Sequence, residues 1–145
     1  YDDVDVEYLW LAKKNPSTWD IISINGLLTY NPSGPVFSYT FDGFGLEPNT
    51  DYSLIYFAEP WPGNNPGALI GSGASDDEGN LHLSGSVELN IDLPDPADAN
   101  YPVGAKIWLV LSSDYDASGC KMIAWNPTEY LFESELITYD DTEVP

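Results

Sequence analysis

No stretch of this chain keeps an apolar period of 3.6 residues beyond about two turns. Gly and Pro, twelve of each, interrupt it at intervals of roughly eight to twelve residues. The runs between them are rich in Val, Ile, Tyr, Phe and Trp, and alternate positions in them are apolar. Proline removes a backbone donor and fixes φ, so this punctuation excludes long helices and leaves short strands joined by turns. The expected fold class is all-β, an antiparallel β-sandwich of about eight to ten strands in one domain. A chain of 145 residues buries roughly 68–70% of its extended surface, enough for a core without disulfides or metals.

The alternation assigns faces. Val4, Val6, Tyr8, Trp10 and Ala12 fall on one side of a first strand, with Asp5 and Glu7 opposite. Phe37, Tyr39 and Phe41 oppose Ser38 and Thr40, and Tyr52, Leu54, Tyr56 and Ala58 share a face. Leu81 and Leu83 begin another strand that Gly85 bends. The stretch Ala105 to Ser112 is nearly continuous apolar, as expected of a strand buried on both faces. Asn25-Gly26 marks a turn or a bulge within residues 21–30. Asn15-Pro16-Ser17, Asn31-Pro32-Ser33 and Asn126-Pro127-Thr128 are turns, since the central Pro disqualifies them as glycosylation acceptors. Two loops, residues 59–67 and 93–102, are long enough to carry function.

The run Leu46-Glu47-Pro48-Asn49-Thr50-Asp51-Tyr52-Ser53-Leu54-Ile55-Tyr56 resembles the L-x-P-x-T-x-Y-x-L-x-Y stretch of fibronectin type III modules. The resemblance implies an immunoglobulin-like sandwich in which the Tyr52 hydroxyl bonds back to the nearby backbone. More loosely, Ser75 to Gly85 resembles the hairpins of bacterial and archaeal surface modules. The stretch from Phe57 to Tyr139 is similar to modules of secreted archaeal cell-surface proteins of methanogen type.

Charge narrows the partners. The chain carries 24 acids against four lysines, for a net charge of −20. Such a surface repels nucleic acid and anionic lipid and attracts cations. No apolar run is long enough for a transmembrane segment. Cys120 is unpaired and reads as a buried thiol or an intermolecular bridge. A start at Tyr1 fits a mature form freed of its signal peptide or a piece of a longer chain, and with the acid content and few lysines the expected setting is extracellular or cell-surface.

Catalytic equipment is sparse. His82 is the one imidazole and falls mid-strand, as a solvent-side residue, and no G-x-S-x-G elbow exists. Oxygen ligands for Ca²⁺ are available from Asp76, Asp77, Glu78 and Asn80 and from Asp92, Asp95 and Asp98, with Asp114 and Asp116, or Asp140 and Asp141, as further pairs. None has EF-hand spacing. Trp61, in a Pro-rich loop, is a candidate platform for a sugar ring or a neighbouring subunit.

Residues 1–18 are expected to form an N-terminal strand or arm and residues 19–145 the sandwich. As an ordinary first strand, the arm joins its own sheet. As a donor strand, it presents Val4, Val6, Tyr8, Trp10 and Ala12 to the next copy, with residues 15–18 as hinge. The leading expectation is a non-enzymatic extracellular structural protein. It would be a homopolymer-forming subunit of a surface layer, sheath or filament assembled by β-strand contacts. The alternative is a carbohydrate-binding or adhesive module, with Ca²⁺ shaping its loops.

Overall fold

Alternating side chains bury one face of a strand at a time, and in the computed structural model they do so around two stacked sheets. The structure describes residues 6–57, 68–89, 92–93, 103–116, 121–124 and 126–141. Among them, seven strands span six residues or more: β1 (Glu7–Lys14), β2 (Ile21–Tyr30), β4 (Phe37–Gly43), β5 (Asp51–Phe57), β6 (Ala68–Ala74), β7 (Leu81–Val87) and β8 (Lys106–Leu111). Five two-residue strands complete the set: β3 (Ser33–Gly34), β9 (Tyr115–Asp116), β10 (Lys121–Met122), β11 (Phe132–Glu133) and β12 (Asp140–Asp141). Two 3-10 turns, Ser112–Asp114 and Pro127–Glu129, lie among them. No helix of the described residues is long and apolar enough to cross a membrane.

The larger sheet runs β11-β1-β2-β4-β7 and the smaller β6-β5-β8. Leu9, Leu11, Leu28, Phe37, Phe41, Leu81 and Leu83 from the first meet Tyr52, Leu54, Tyr56, Ile70, Ile107 and Leu109 from the second. The smaller sheet is also covered on its other face. There Ile55, Phe57, Trp108 and Val110 pack with Tyr115, Met122, Tyr130 and Phe132. The expectation of a doubly buried strand therefore holds, with Ile107, Trp108, Leu109 and Val110 all buried. With the long strands lettered A to G, the sheets read A-B-C-F and E-D-G. Immunoglobulin domains read A-B-E-D and C-F-G. The likeness at residues 46–56 is thus local: the Glu47 N–H donates to the Tyr52 hydroxyl at 3.0 Å while the Tyr52 ring is buried.

Turn chemistry sets the corners. The side chains of Asn15 and Asn31 accept from the amides of Ser17 (2.8 Å) and Ser33 (3.1 Å). Asn126 instead leads into the second 3-10 turn and gives its side-chain amide to Asp114 at 2.8 Å. Between β6 and β7, Asp76 caps a turn closed by Gly79 at φ 79°. A Cβ on Gly79 would lie 2.3 Å from the Leu46 carbonyl oxygen. Only Gly satisfies both the dihedral and the approach.

β1 takes the course of an ordinary first strand: it lies inside its own sheet, paired with β2 on one edge and β11 on the other. Residues 15–20 close the β1–β2 hairpin where a hinge would be needed, through Asn15 N–H to the Asp20 carbonyl (2.8 Å) and Trp19 N–H to the Asn15 carbonyl (2.6 Å). The inward face of β1 is the opposite of the expected one: Leu9 and Leu11 are buried, while Tyr8 and Trp10 point outward. Ala12 is buried too, across a register shift between Leu11 and Ala12. Lys14, at the strand's end, is buried against Glu133, with Nζ 3.2 Å from Oε2. Glu133 Oε1 accepts the Trp108 indole N–H at 2.8 Å. The Trp19 ring lies 4.5 Å from Phe132 and 5.1 Å from Lys14 Nζ. Trp19 holds this place at φ 67°, a left-handed conformation that costs a bulky residue about 1–2 kcal/mol.

Burial raises the Glu133 carboxyl above its ordinary value, and Lys14 and the Trp108 N–H pull it back. Lys14→Met leaves a buried carboxylate unpaired and is expected to cost about 3–5 kcal/mol in urea unfolding at neutral pH, with Lys14→Met/Glu133→Gln recovering most of it. The folded-state pKa lies above the unfolded one, so the folded state takes up the proton first as pH falls. The stability of Lys14→Met therefore rises on acidification from neutral pH. At Trp19, Ala keeps the strained φ and loses the ring contacts, whereas Gly loses only the contacts. Trp19→Gly is expected to be more stable than Trp19→Ala by about 1–2 kcal/mol.

Candidate functional site

With Leu9 and Leu11 turned inward, the period of two puts Tyr8 and Trp10 on the outer face of the larger sheet. The register extends their rows across four strands. Trp10 opposes Leu27, Leu27 opposes Asp42, and Asp42 opposes His82. The next row is Tyr8, Thr29, Thr40 and Ser84. Beyond it Ser38 and Ser86 share a hydroxyl hydrogen bond of 3.0 Å. Tyr8 is 58% exposed and Trp10 is 48% exposed. Two aromatic rings, about 7 Å apart along one strand, thus stand beside a field of hydroxyls.

At the far end of the Trp10 row, His82 Nδ1 lies 2.5 Å from Asp42 Oδ1, both side chains being exposed. The carboxylate fixes the ring, and Nε2 is the nitrogen left to meet a ligand. His82 is a solvent-side strand residue as expected, but its partnership with Asp42, 40 residues away, follows from strand pairing alone. Asp42, Thr29 and Thr40 carry no local signal beyond being the polar members of alternating strands.

A second feature lies at the other end of β2. Strand β4 stops at Gly43 opposite Gly26, so Ile21–Ile24 run past it and pair only with β1 among the described residues. Ile22 is 66% exposed, and Ile21, Ile24, Phe44 and Trp19 are exposed as well. The adjacent isoleucines break the period of two, which is the signal in the sequence for an element without a single buried face.

The remaining expected residues fall elsewhere. Val4, Trp61, Asp95 and Asp98 lie outside the described residues, as does Cys120. Val6 is half-buried and Ala12 fully buried, so neither joins Tyr8 and Trp10 on the outer face. Asp92 is half-buried. Asp77, Glu78 and Asn80 are exposed around the Asp76 turn, apart from the aromatic face. Asp76 Oδ1 there accepts the amides of both Glu78 and Asn80 at 2.9 Å, a structural use of the carboxylate. Among the described residues no three His, Cys, Asp or Glu converge as metal ligands.

A buried polar group sits on the opposite side of the molecule. Asp114 Oδ2 accepts the Tyr130 hydroxyl at 2.5 Å and the Asn126 side-chain amide at 2.8 Å. Burial, and then this hydrogen bond to a carboxylate, push the Tyr130 phenol upward. The group ties the two 3-10 turns together. No protein family, curated protein or solved structure matches the chain.

The backbone amides of Asn80 and Glu78 hold the Asp76 carboxyl below the usual carboxylate range. Its folded value lies below its unfolded one, so its contribution is present at neutral pH and is lost as pH falls through the folded value. In a carbon-detected NMR titration the folded chain is expected to protonate Asp76 at lower pH than the urea-unfolded chain does. The amide shifts of Glu78 and Asn80 should move with Asp76.

Proposed function

We propose that this protein is a non-enzymatic extracellular adhesive module that binds neutral carbohydrate on the outer face of its larger sheet. The observation that carries the reading is the exposure of Trp10 and Tyr8 on one sheet face whose other members are Leu27, hydroxyls, a carboxylate and an imidazole. A pyranose ring has one apolar C–H face and an equatorial rim of hydroxyls. An exposed indole accepts the first, and Thr29, Thr40, Ser84, Asp42 and His82 supply hydrogen bonds to the second. A sheet face is pre-organised, so little side-chain entropy is lost on binding. The net charge of −20 disfavours acidic polysaccharides and leaves neutral ones as the ligand class.

The second reading is a structural subunit of a surface layer, sheath or filament. What favours it is the uncovered apolar end of β2. What disfavours donor-strand exchange is that β1 is already paired on both edges. Assembly, in this reading, proceeds by addition at an edge.

The test is titration calorimetry and a glycan array with neutral oligosaccharides. Trp10→Ala is expected to weaken binding at least tenfold, about 1.4 kcal/mol, Tyr8→Ala by less, and Trp61→Ala not at all. All three variants should keep the circular dichroism of the parent. Binding that survives Trp10→Ala/Tyr8→Ala, or that is lost only in Trp61→Ala, overturns the assignment of the face.

A further inference from the structure

We infer that the uncovered edge at Ile21–Ile24 is a dimer interface, on which the same segment of a second copy pairs antiparallel about a two-fold axis. An unprotected strand edge is an open hydrogen-bonding template. Natural edges are blunted with charge, Pro or a covering loop. This one has a bulge at Ile22, where the register steps from Lys13 opposite Ser23 to Lys14 opposite Ile21, but no charge or Pro. It carries three exposed isoleucines flanked by Trp19 and Phe44, and its β4 side is uncovered among the described residues. Exposed apolar groups on both faces of one short strand are what a strand shows when a partner sheet continues past it.

The charge pattern selects a second copy as the occupant. Throughout residues 13–41 the chain holds one acid, Asp20, against Lys13, Lys14 being spent on the buried Glu133, although the whole carries −20. Glu47 and Glu129 are acids that lie near Lys13. Two such molecules repel one another over most of their surfaces. The end of the sheet built from the first hairpin is where they approach at least cost. The segment is also self-complementary: a dyad through Ser23 sets Ile22 of each copy opposite Ile24 of the other. This is an isologous contact that closes at two copies.

A two-fold axis relating adjacent antiparallel strands stands perpendicular to the sheet. The two larger sheets therefore become one continuous sheet of ten strands, and both Trp10 faces look the same way. On the carbohydrate reading of that face, the dimer is bivalent and gains avidity for a polymer over a single chain. The dimer stands or falls by its own measurement, whatever the face binds.

Sedimentation equilibrium on the full chain tests it, at protein concentrations from micromolar to millimolar and at 20 and 300 mM NaCl. The expected result is a monomer–dimer equilibrium that tightens with salt, because screening removes the repulsion between two acidic bodies. Ile22→Lys/Ile24→Lys is expected to weaken the dimer by at least about a hundredfold with unchanged circular dichroism, since both positions are exposed. Hydrogen exchange asks the same of the unsubstituted chain: alternate amides between Ile21 and Ile24 should gain protection as concentration rises. A monomer throughout overturns the proposal. So does a dimer indifferent to the two lysines, or one without concentration-dependent protection at these amides. Open polymers lost on Ile22→Lys would overturn the dyad.

Discussion

Glu133 is a buried carboxylate held by one residue from each sheet, and the placing of β1 goes with how it is satisfied. Its oxygens take the indole N–H of Trp108 from the smaller sheet and the ammonium of Lys14 from the end of β1. The segment around it belongs to both layers. Leu131 exchanges backbone hydrogen bonds with Leu109 of β8, while Phe132 and Glu133 pair with Ala12 and Leu11 of β1. The sandwich is thereby closed along that side, in the way a barrel abolishes an edge. A buried ion pair contributes little net stability against an apolar substitute, but it penalises every register that separates its members. That penalty acts on β1 together with the burial of Leu9 and Leu11. A slip of one residue would turn Leu9 and Leu11 out and Tyr8 and Trp10 in.

This dependence also explains what was legible in the sequence. Phe37, Tyr39 and Phe41, then Leu81 and Leu83, are apolar on one parity and small or polar on the other, and their inward faces follow from period alone. So does the double burial of β8. Tyr52, Leu54 and Tyr56 alternate with Ser53, Ile55 and Phe57, so β5 is apolar on both parities toward its end and is buried on both faces. The first strand is different. From Val4 to Lys14 the acids Asp5 and Glu7 share a parity with Leu9 and Leu11, so the two halves of the run vote for opposite faces. Tyr and Trp do not break the tie, since an amphipathic ring tolerates either side. Phe132 and Glu133 break it, and Glu133 stands 119 residues from Lys14. The burial of Lys14 was equally illegible, because a Lys-Lys pair ahead of an Asn-Pro turn has the look of a solvated strand end.

For the candidate site the division is similar. The sequence picks out Tyr8 and Trp10 as the residues of interest but assigns them to an apolar seam. It identifies His82 as solvent-side but has no means of finding Asp42, because the pair is made by the register of β4 on β7. The Asp76 turn was legible as a turn, by its Asp-x-x-Gly spacing. Its fit to metal rested on counting carboxylates, and the structure commits one oxygen of Asp76 to two amides.

The two surfaces assigned here meet in β2, and a bulge keeps them apart. Leu27 and Thr29 belong to the outer face and Ile21–Ile24 to the uncovered edge. Between them the pairing steps from Leu11 opposite Gly26 to Ala12 opposite Ile24, leaving Asn25 unpaired in the ladder. The side chain of Asn25 is held by the Ser23 hydroxyl at 2.5 Å and donates to the Phe44 carbonyl at 2.9 Å. Gly26 lies under the Phe41 ring, where a Cβ would come within 2.7 Å of it. A bulge so tied down bends and twists the strand at a fixed point. It frees residues 21–24 from the alternation that governs residues 27–30, so one end of β2 exposes apolar side chains on both faces while the other keeps Leu28 and Tyr30 in the core. One strand can then serve a ligand-facing sheet and an open edge without either pattern having to compromise the other.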